Sequence, residues 1–256
     1  MLTRDGIHTF LKLSGIKKDD TVVIHTSMRA IGEVENGCDG VIDGIASYLT
    51  AGLLVVPTHT WANVDAENPV FNVKTSVPCI GALPTVAAFR SDGVRSLHPT
   101  HSVVAFGKAA AEFVSGEENA TSPCPQGGVW SRLYDRGAKI LLIGVPLNRN
   151  TYIHAVDEML DLPDRLNPPI PLTVIDYDGN RHSVMFRKHG NTGSANYGNF
   201  KRAFEHLGAL TYGKLGNATV GIFDAKRGTE ILKMLWSKAD YNLCETEKDI
   251  PEEYYM

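Results

Sequence analysis

The residues of this chain best suited to chemistry fall in one segment, Asn148-Arg149-Asn150-Thr151-Tyr152-Ile153-His154-Ala155-Val156-Asp157-Glu158. The spacing predicts a helix capped by Asn150. On it, Asp157 lies three residues and Glu158 four residues after His154, so either carboxylate shares the histidine's side of the helix. A carboxylate that accepts from one imidazole nitrogen sets the tautomer and raises the basicity of the other, which is what a general base requires. Histidines with acidic neighbours are common on surface helices, so spacing alone supports a structural reading as well. Place favours chemistry: the segment follows an apolar run of strand length, and α/β sites gather at the carboxyl ends of strands.

Three other groups carry donors or nucleophiles. His25-Thr26-Ser27-Met28-Arg29-Ala30-Ile31-Gly32 sets small hydroxyls and a guanidinium directly after an apolar run, where they and the backbone amides can hold phosphate. It is not a glycine-rich phosphate loop. No G-x-G-x-x-G, and no G-x-x-x-x-G-K followed by Ser or Thr, occurs in the chain. His98-Pro99-Thr100-His101-Ser102 has two histidines three apart, and with His59 these would suit a metal. Lacking a placed third ligand or a thiolate pair, the segment reads better as a loop whose hydroxyls and amides hold an anion, or as a turn in which Thr100 and Ser102 satisfy the local backbone. Cys124 stands between two prolines, with no sequence neighbour to lower its pKa, and makes a poor nucleophile.

Apolar, strand-length runs must position these groups. Residues 22–24, 53–56, 103–106 and 140–145 are bounded by Gly, Pro or Thr, as buried strands are. Between them run helix candidates. One is capped by Asp39, with Val41, Ile45, Tyr48 and Leu49 on one face, and the others cover 83–90, 108–114 and 129–134. This alternation predicts α/β architecture. After Pro163, Pro168, Pro169 and Pro171, residues 172–177 and 182–187 predict a hairpin turning at Asp178-Gly179-Asn180, which would make the sheet mixed. A helix with Phe200, Ala203, Phe204 and Leu207 on one face, a strand at 220–223 and a helix carrying Ile231, Leu232, Leu235 and Trp236 complete one domain over 1–256. Its acidic end, about 245–256, is expected to be peripheral.

Composition narrows the function classes. With 256 residues, 43% hydrophobic and 21% charged, the chain matches an ordinary globular domain with a substantial core. Twenty-five basic against 29 acidic residues, a net charge of −4, and no Lys/Arg cluster argue against a nucleic-acid partner. The longest charge-free stretch, 44–64, is interrupted by Ser47, Thr50, Pro57, Thr58, His59 and Thr60 and is too polar to span a membrane. The first residues lack the apolar core of a signal peptide, and Cys38, Cys79, Cys124 and Cys244 are scattered as reduced thiols would be, so a cytoplasmic location is expected.

Read in order, Val23-Ile24-His25-Thr26-Ser27-Met28-Arg29-Ala30-Ile31-Gly32, residues 53–61, 98–107 and 133–145, and Asn150-Thr151-Tyr152-Ile153-His154 resemble the aminoglycoside 3-N-acetyltransferase family. That resemblance implies a single α/β domain, a mixed β-sheet flanked by helices, unrelated to the common acetyltransferase superfamily. It implies direct transfer of an acetyl group from acetyl-coenzyme A, the co-substrate, to a primary amine, with no metal. It makes His154 the general base and places the orienting carboxylate at Asp157, where the family usually has Glu; here Glu158 follows immediately, so either can serve. It assigns Thr26, Ser27, Met28 and Arg29, with Thr100, Ser102 and the turn at Ser122, to the pantetheine and pyrophosphate of coenzyme A. The family often has Asp at Asn148, and its Ser-Pro-Leu-Gly stretch is replaced by Ser122-Pro123-Cys124-Pro125-Gln126-Gly127-Gly128.

The acceptor implied is a small-molecule amine, first an aminoglycoside. A polycation needs carboxylates, and the candidates are Asp65 and Glu67 in the loop after Trp61, itself expected to meet the acceptor, together with Asp157, Glu158 and Asp161. The rival readings are a metal-dependent hydrolase using His59, His98 and His101, and a binding module without turnover. A homodimer is among the oligomeric states open to the chain.

Overall fold

The computed structural model describes residues 1–190 and 194–256. The first half of the chain forms α1 (Arg4–Leu13), β1 (Thr21–Thr26), α2 (Met28–Ile31), α3 (Gly37–Tyr48), β2 (Leu53–Pro57), β3 (Val70–Asn72), α4 (Ala82–Ala88), β4 (Val94–Arg95), β5 (Val103–Phe106) and α5 (Ala110–Phe113). The second half forms α6 (Val129–Asp135), β6 (Lys139–Ile143), α7 (Tyr152–Met159), β7 (Ile170–Ile175), β8 (Arg181–Phe186), α8 (Lys201–His206), β9 (Leu210–Leu215), β10 (Ala218–Asp224) and α9 (Ala225–Lys238).

Seven strands make the main sheet, in the order β4-β5-β2-β1-β6-β10-β9. Strand β1 runs parallel to β2 and β6, and the outer strands are antiparallel to their neighbours. Strand alternation sets the layers. Val22 and Ile24 join Leu54 and Val56 in a core covered by α1, α3 and α4, whereas Val23 joins Leu53 and Val55 in the opposite core, covered by α5 to α9. Because both faces are covered, the central strands read as unbroken apolar runs. No helix among the described residues is long and apolar enough to cross a membrane.

The sheet is mixed, but not because of the hairpin. Strands β7 and β8 pair antiparallel as expected, yet with β3 they form a separate three-stranded sheet over a small core of Phe71, Leu172, Val174 and Phe186. Their burial is one-sided: Val184 and Phe186 point in, while Arg181, Ser183 and Met185 are exposed. A one-faced hairpin can cap a layer but cannot fill the middle of a sheet buried on both faces. The antiparallel strands of the main sheet are β4, β5, β9 and β10.

One further expectation is corrected. Helix α3 begins at Gly37 after Asn36, whose φ of 58° lies in the left-handed region, so Asp39 is in the first turn rather than at the cap and pairs with Arg90 at 2.6 Å. Most of residues 245–256 are exposed, and the segment is anchored at two points. Ile250 and Tyr255 are buried in the core beside α8 and α9, and the Lys248 amide donates to Asn199 Oδ1, so two apolar anchors hold an otherwise charged segment. The structure also adds α1, β3, β4 and β9, whose short or half-polar sequences carry little periodic signal.

One carboxylate is locked inside this frame. Glu117 is 1% exposed, and its Oε1 accepts from the Val129 amide at 2.8 Å. Burial raises its pKa from 4.5 to about 7. The unfolded chain ionises first, so this group's stability is fully present below pH 4.5 and is lost as pH rises through about 7. Glu117→Gln keeps an acceptor for Val129 and removes the charge. It is expected to add up to about 3 kcal/mol of stability at pH 8 and almost none near pH 4.5, read by urea unfolding at both values. An equal change at the two pH values would contradict this account.

Candidate active site

The carboxyl ends of the parallel strands β1, β2 and β6 open onto one cavity of about 670 Å3. Strand β1 brings His25 and Thr26, and the chain after β2 brings His59 and Trp61. The loop entering β5 brings Thr100 and His101, and the exit from β8 brings Lys188 and His189. Asn148, Arg149, Thr151 and His154 follow β6. The chain can leave β6 in that direction because Gly144 adopts φ +66°, and a Cβ there would lie 2.2 Å from that of Ala30. Helix α7 starts one residue later than the sequence suggests. Thr151 is its N-cap residue and makes no side-chain cap, while Asn150 Oδ1 accepts from the Tyr152 amide at 3.2 Å.

Neither acidic neighbour touches His154 directly. The Tyr197 hydroxyl lies 2.8 Å from His154 Nδ1 and donates to Asp157 Oδ2 at 2.7 Å, so Asp157 reaches the ring through a phenol. Asp157 is ion-paired with Arg165 at 3.2 Å, with both side chains buried. Burial raises the Asp157 pKa to about 6, against the opposing pull of Arg165 and the Tyr197 hydrogen bond. Glu158 turns the other way. Its carboxylate accepts from Ser122 Oγ, from the Cys124 amide at 2.9 Å and from His189 Nε2 at 3.2 Å. The His189 ring in turn stacks on that of His154, with 3.8 Å between centroids. Burial first, and then neighbouring His189, push His154 well below the ordinary histidine range, so its ring is neutral at pH 7.

Four other histidines at this end of the sheet are neutral for the same reason. Burial lowers His25 and His98 to about 4 and takes His59 and His101 well below their ordinary value. His98 has no nitrogen left for a metal. Its Nδ1 accepts from the Thr100 and His101 amides, so Nε2 carries the proton and donates to the Ser122 carbonyl at 2.9 Å. His59, His98 and His101 come together in space but do not make a three-ligand set. Cys124, Glu158 and His189 do bring one potential ligand atom each within 4.8 Å of one another. In that group the Glu158 oxygens already hold three donors, and burial pushes the Cys124 thiol well up. His25 and His59 differ: their Nε2 atoms are buried without a hydrogen-bond partner among the described residues, and both residues line the cavity.

Of the residues expected to meet the coenzyme, Thr26 and Thr100 line the cavity, and Thr26 Oγ1 has no hydrogen-bond partner among the described residues. Ser27 caps α2, accepting from the Ala30 amide at 3.3 Å, while Met28 packs against the core and Arg29 is exposed. Ser102 is spent on Thr58 and Arg95, and Ser122 on Glu158. Of the acceptor residues, Trp61 lines the cavity. Asp65 closes its own turn by accepting from the Glu67 and Asn68 amides, Glu67 is exposed, and neither lines the cavity. Among the described residues the cavity wall holds no carboxylate, and its cationic side chains are Arg149 and Lys188. His189, Tyr197 and Arg165 escape sequence reasoning because nothing local relates them to α7; Tyr197 lies 43 residues from the histidine it bonds.

The family model described as aminoglycoside 3-N-acetyltransferase matches residues 23–236, which is most of the chain. The chain belongs to that family. This family member is 24% identical to aminoglycoside N(3)-acetyltransferase III of Serratia marcescens, over 88% of its own length and 94% of the relative's. It is 28% identical to aminoglycoside N(3)-acetyltransferase IX of Micromonospora chalcea, over 88% and 89%. Its structure superposes on that of aminoglycoside acetyltransferase AAC(3)-Xa with a TM-score of 0.77, at 25% identity and 90% coverage of each chain. The fold is also that of AAC-IIIb, solved in a binary complex with CoASH, with a TM-score of 0.79, 19% identity and coverage of 94% and 98%. The protein is thus an acyltransferase of the aminoglycoside 3-N-acetyltransferase family.

Proposed function

We propose that the protein transfers the acetyl group of acetyl-coenzyme A directly to a primary amine, with His154 as general base and an aminoglycoside as the acceptor class. The observation that carries the reading is the bonding of His154. Nδ1 is engaged by Tyr197, the ring is neutral, and the residue lines the cavity, so Nε2 is the nitrogen available to a ligand. The amine adds to the thioester carbonyl, its proton passes to His154 Nε2, and collapse of the tetrahedral adduct expels the coenzyme as a thiolate, which takes that proton up. No acyl-enzyme is required. The unpartnered Nε2 atoms of His25 and His59, with Thr26 Oγ1, are polar groups in the wall that can hold the carbonyl oxygen or the coenzyme.

Coenzyme A as donor is supported by family membership and by the CoASH complex of a protein with this fold. The aminoglycoside rests on the relatives rather than on the cavity, whose described wall offers no carboxylate to a polycation. The purified protein is therefore assayed with acetyl-coenzyme A against aminoglycosides, simple monoamines and amino acids, reading thiol release and acetylated product by mass spectrometry. Turnover of at least one aminoglycoside is expected. Coenzyme A at 100 times its Kd should also stabilise the fold by about 2.7 kcal/mol. No thiol release with any amine removes the transferase reading, and release with monoamines alone removes the aminoglycoside.

A further inference from the structure

The Tyr197 hydroxyl has a single proton, and the two groups beside it decide where that proton goes. Asp157 is a carboxylate paired with Arg165, so it can only accept, and Tyr197 donates to it at 2.7 Å. The phenol oxygen is then left as an acceptor for His154 Nδ1 at 2.8 Å. The ring's one proton must sit on Nδ1, and the basic lone pair on Nε2. Tyr197 is wholly buried, packed on Phe200, which fixes the phenol in this place.

We propose that Tyr197 is a positioning residue of the acetyl-transfer site: its hydroxyl couples the Asp157 carboxylate to His154 Nδ1 and holds the ring in the tautomer that presents Nε2 to the cavity. Its role in turnover rests on the reading of His154 as general base, but the tautomer does not. The distances explain why a phenol is needed. Asp157 sits one helical turn beyond His154, and its Oδ2 lies between Arg165 and the Tyr197 hydroxyl, so the phenol is the group through which the negative charge is coupled to the ring. Burial and the adjacent carboxylate push the Tyr197 phenol well above its ordinary range, which keeps it a donor at every pH at which the enzyme would work. When imidazolium forms during transfer, the Nδ1 proton is already directed along this chain towards Asp157, and the new charge is stabilised without rearrangement.

Acid should break the relay. A protonated Asp157 can donate to Tyr197, whose hydroxyl would then donate to Nδ1, and the ring proton would move to Nε2 where no base remains. The charged and titratable groups around Asp157 are Arg165, Glu158, Cys124 and Cys244. Those around His154 are His59, His101, His189 and Arg165.

The test uses the full chain labelled with 15N-histidine, its His154 resonances assigned by comparison with His154→Gln. In the wild-type protein at pH 7.5, Nδ1 should be protonated and Nε2 bare. Tyr197→Phe, which keeps the buried ring, should show mixed or reversed tautomers. It should lower kcat by about 10- to 100-fold, a part of the 10² to 10⁴ attributable to a whole general base. KM for acetyl-coenzyme A should stay within twofold, and the acid limb of the kcat profile should move to lower pH, because the imidazolium has lost its link to Asp157. If Tyr197→Phe does not fold, Asp157→Asn gives the same readouts, with an amide that can also donate and so mixes the tautomers. A wild-type ring carrying its proton on Nε2 overturns the proposal. So does a variant with unchanged tautomer and a kcat within twofold. Absence of acetyl transfer by the wild type would instead overturn the function, and the nitrogen shifts would still judge the relay.

Discussion

Replacing His154 by alanine is expected to lower turnover with acetyl-coenzyme A by about 10² to 10⁴, with coenzyme A affinity nearly unchanged. The size follows from the group's position. His154 is neutral because burial and His189 disfavour its charge, it lines the cavity, and its second nitrogen is tied to a buried carboxylate through Tyr197. Removing it removes the proton acceptor while leaving Thr26, His25, His59 and Thr100 in the wall. The side chain is half-buried on α7, so the truncation should be tolerated by the fold, and a melting curve of the variant checks this. Near-normal turnover in a folded variant would remove His154 from the mechanism. Loss of turnover together with loss of coenzyme binding would show that the residue holds the donor rather than taking the proton.

The largest stability effect is expected at Arg165. Arg165→Met should cost roughly 3–5 kcal/mol at pH 8, because it leaves the Asp157 carboxylate buried and uncompensated. The loss should shrink towards pH 5. Asp157 already has its pKa raised by burial to about 6, and removing the cation raises it further. A carboxyl raised above its ordinary value keeps its stability at low pH and loses it as pH rises through the folded pKa, so the variant is penalised mainly above that point. Urea unfolding at pH 5 and pH 8 reads the difference. A loss of the same size at both values would assign it to packing, since the guanidinium also lies 5.4 Å from the Trp236 ring centroid. The same substitution should move the acid limb of activity upward, because the charge on Asp157 is what Tyr197 relays.

Sequence periodicity by itself determined the frame. Strand-length apolar runs matched β1, β2, β5 and β6, because strands buried on both faces leave no room for polar alternation. The hairpin was legible from Asp178-Gly179-Asn180 between two runs, and β7 pairs with β8 across that turn. The position of His154 beyond β6, with two carboxylates on its side of a helix, was also legible, since both facts are local.

Only tertiary structure decided what those residues do to one another. Spacing at i+3 and i+4 puts Asp157 and Glu158 on one side of α7 but does not say which neighbour each will meet. Arg165 and Tyr197 captured Asp157, while Ser122, Cys124 and His189 captured Glu158, and all of these partners come from outside the helix. The hairpin's place in its own sheet was settled by packing rather than by its turn, and the convergence of six histidines on one end of the sheet by the order in which strands lie, not by the order in which they are written. Local pattern reports the period of the backbone and the face each side chain takes. Partners, burial and therefore pKa depend on elements tens of residues apart, and those meet only when the layers close.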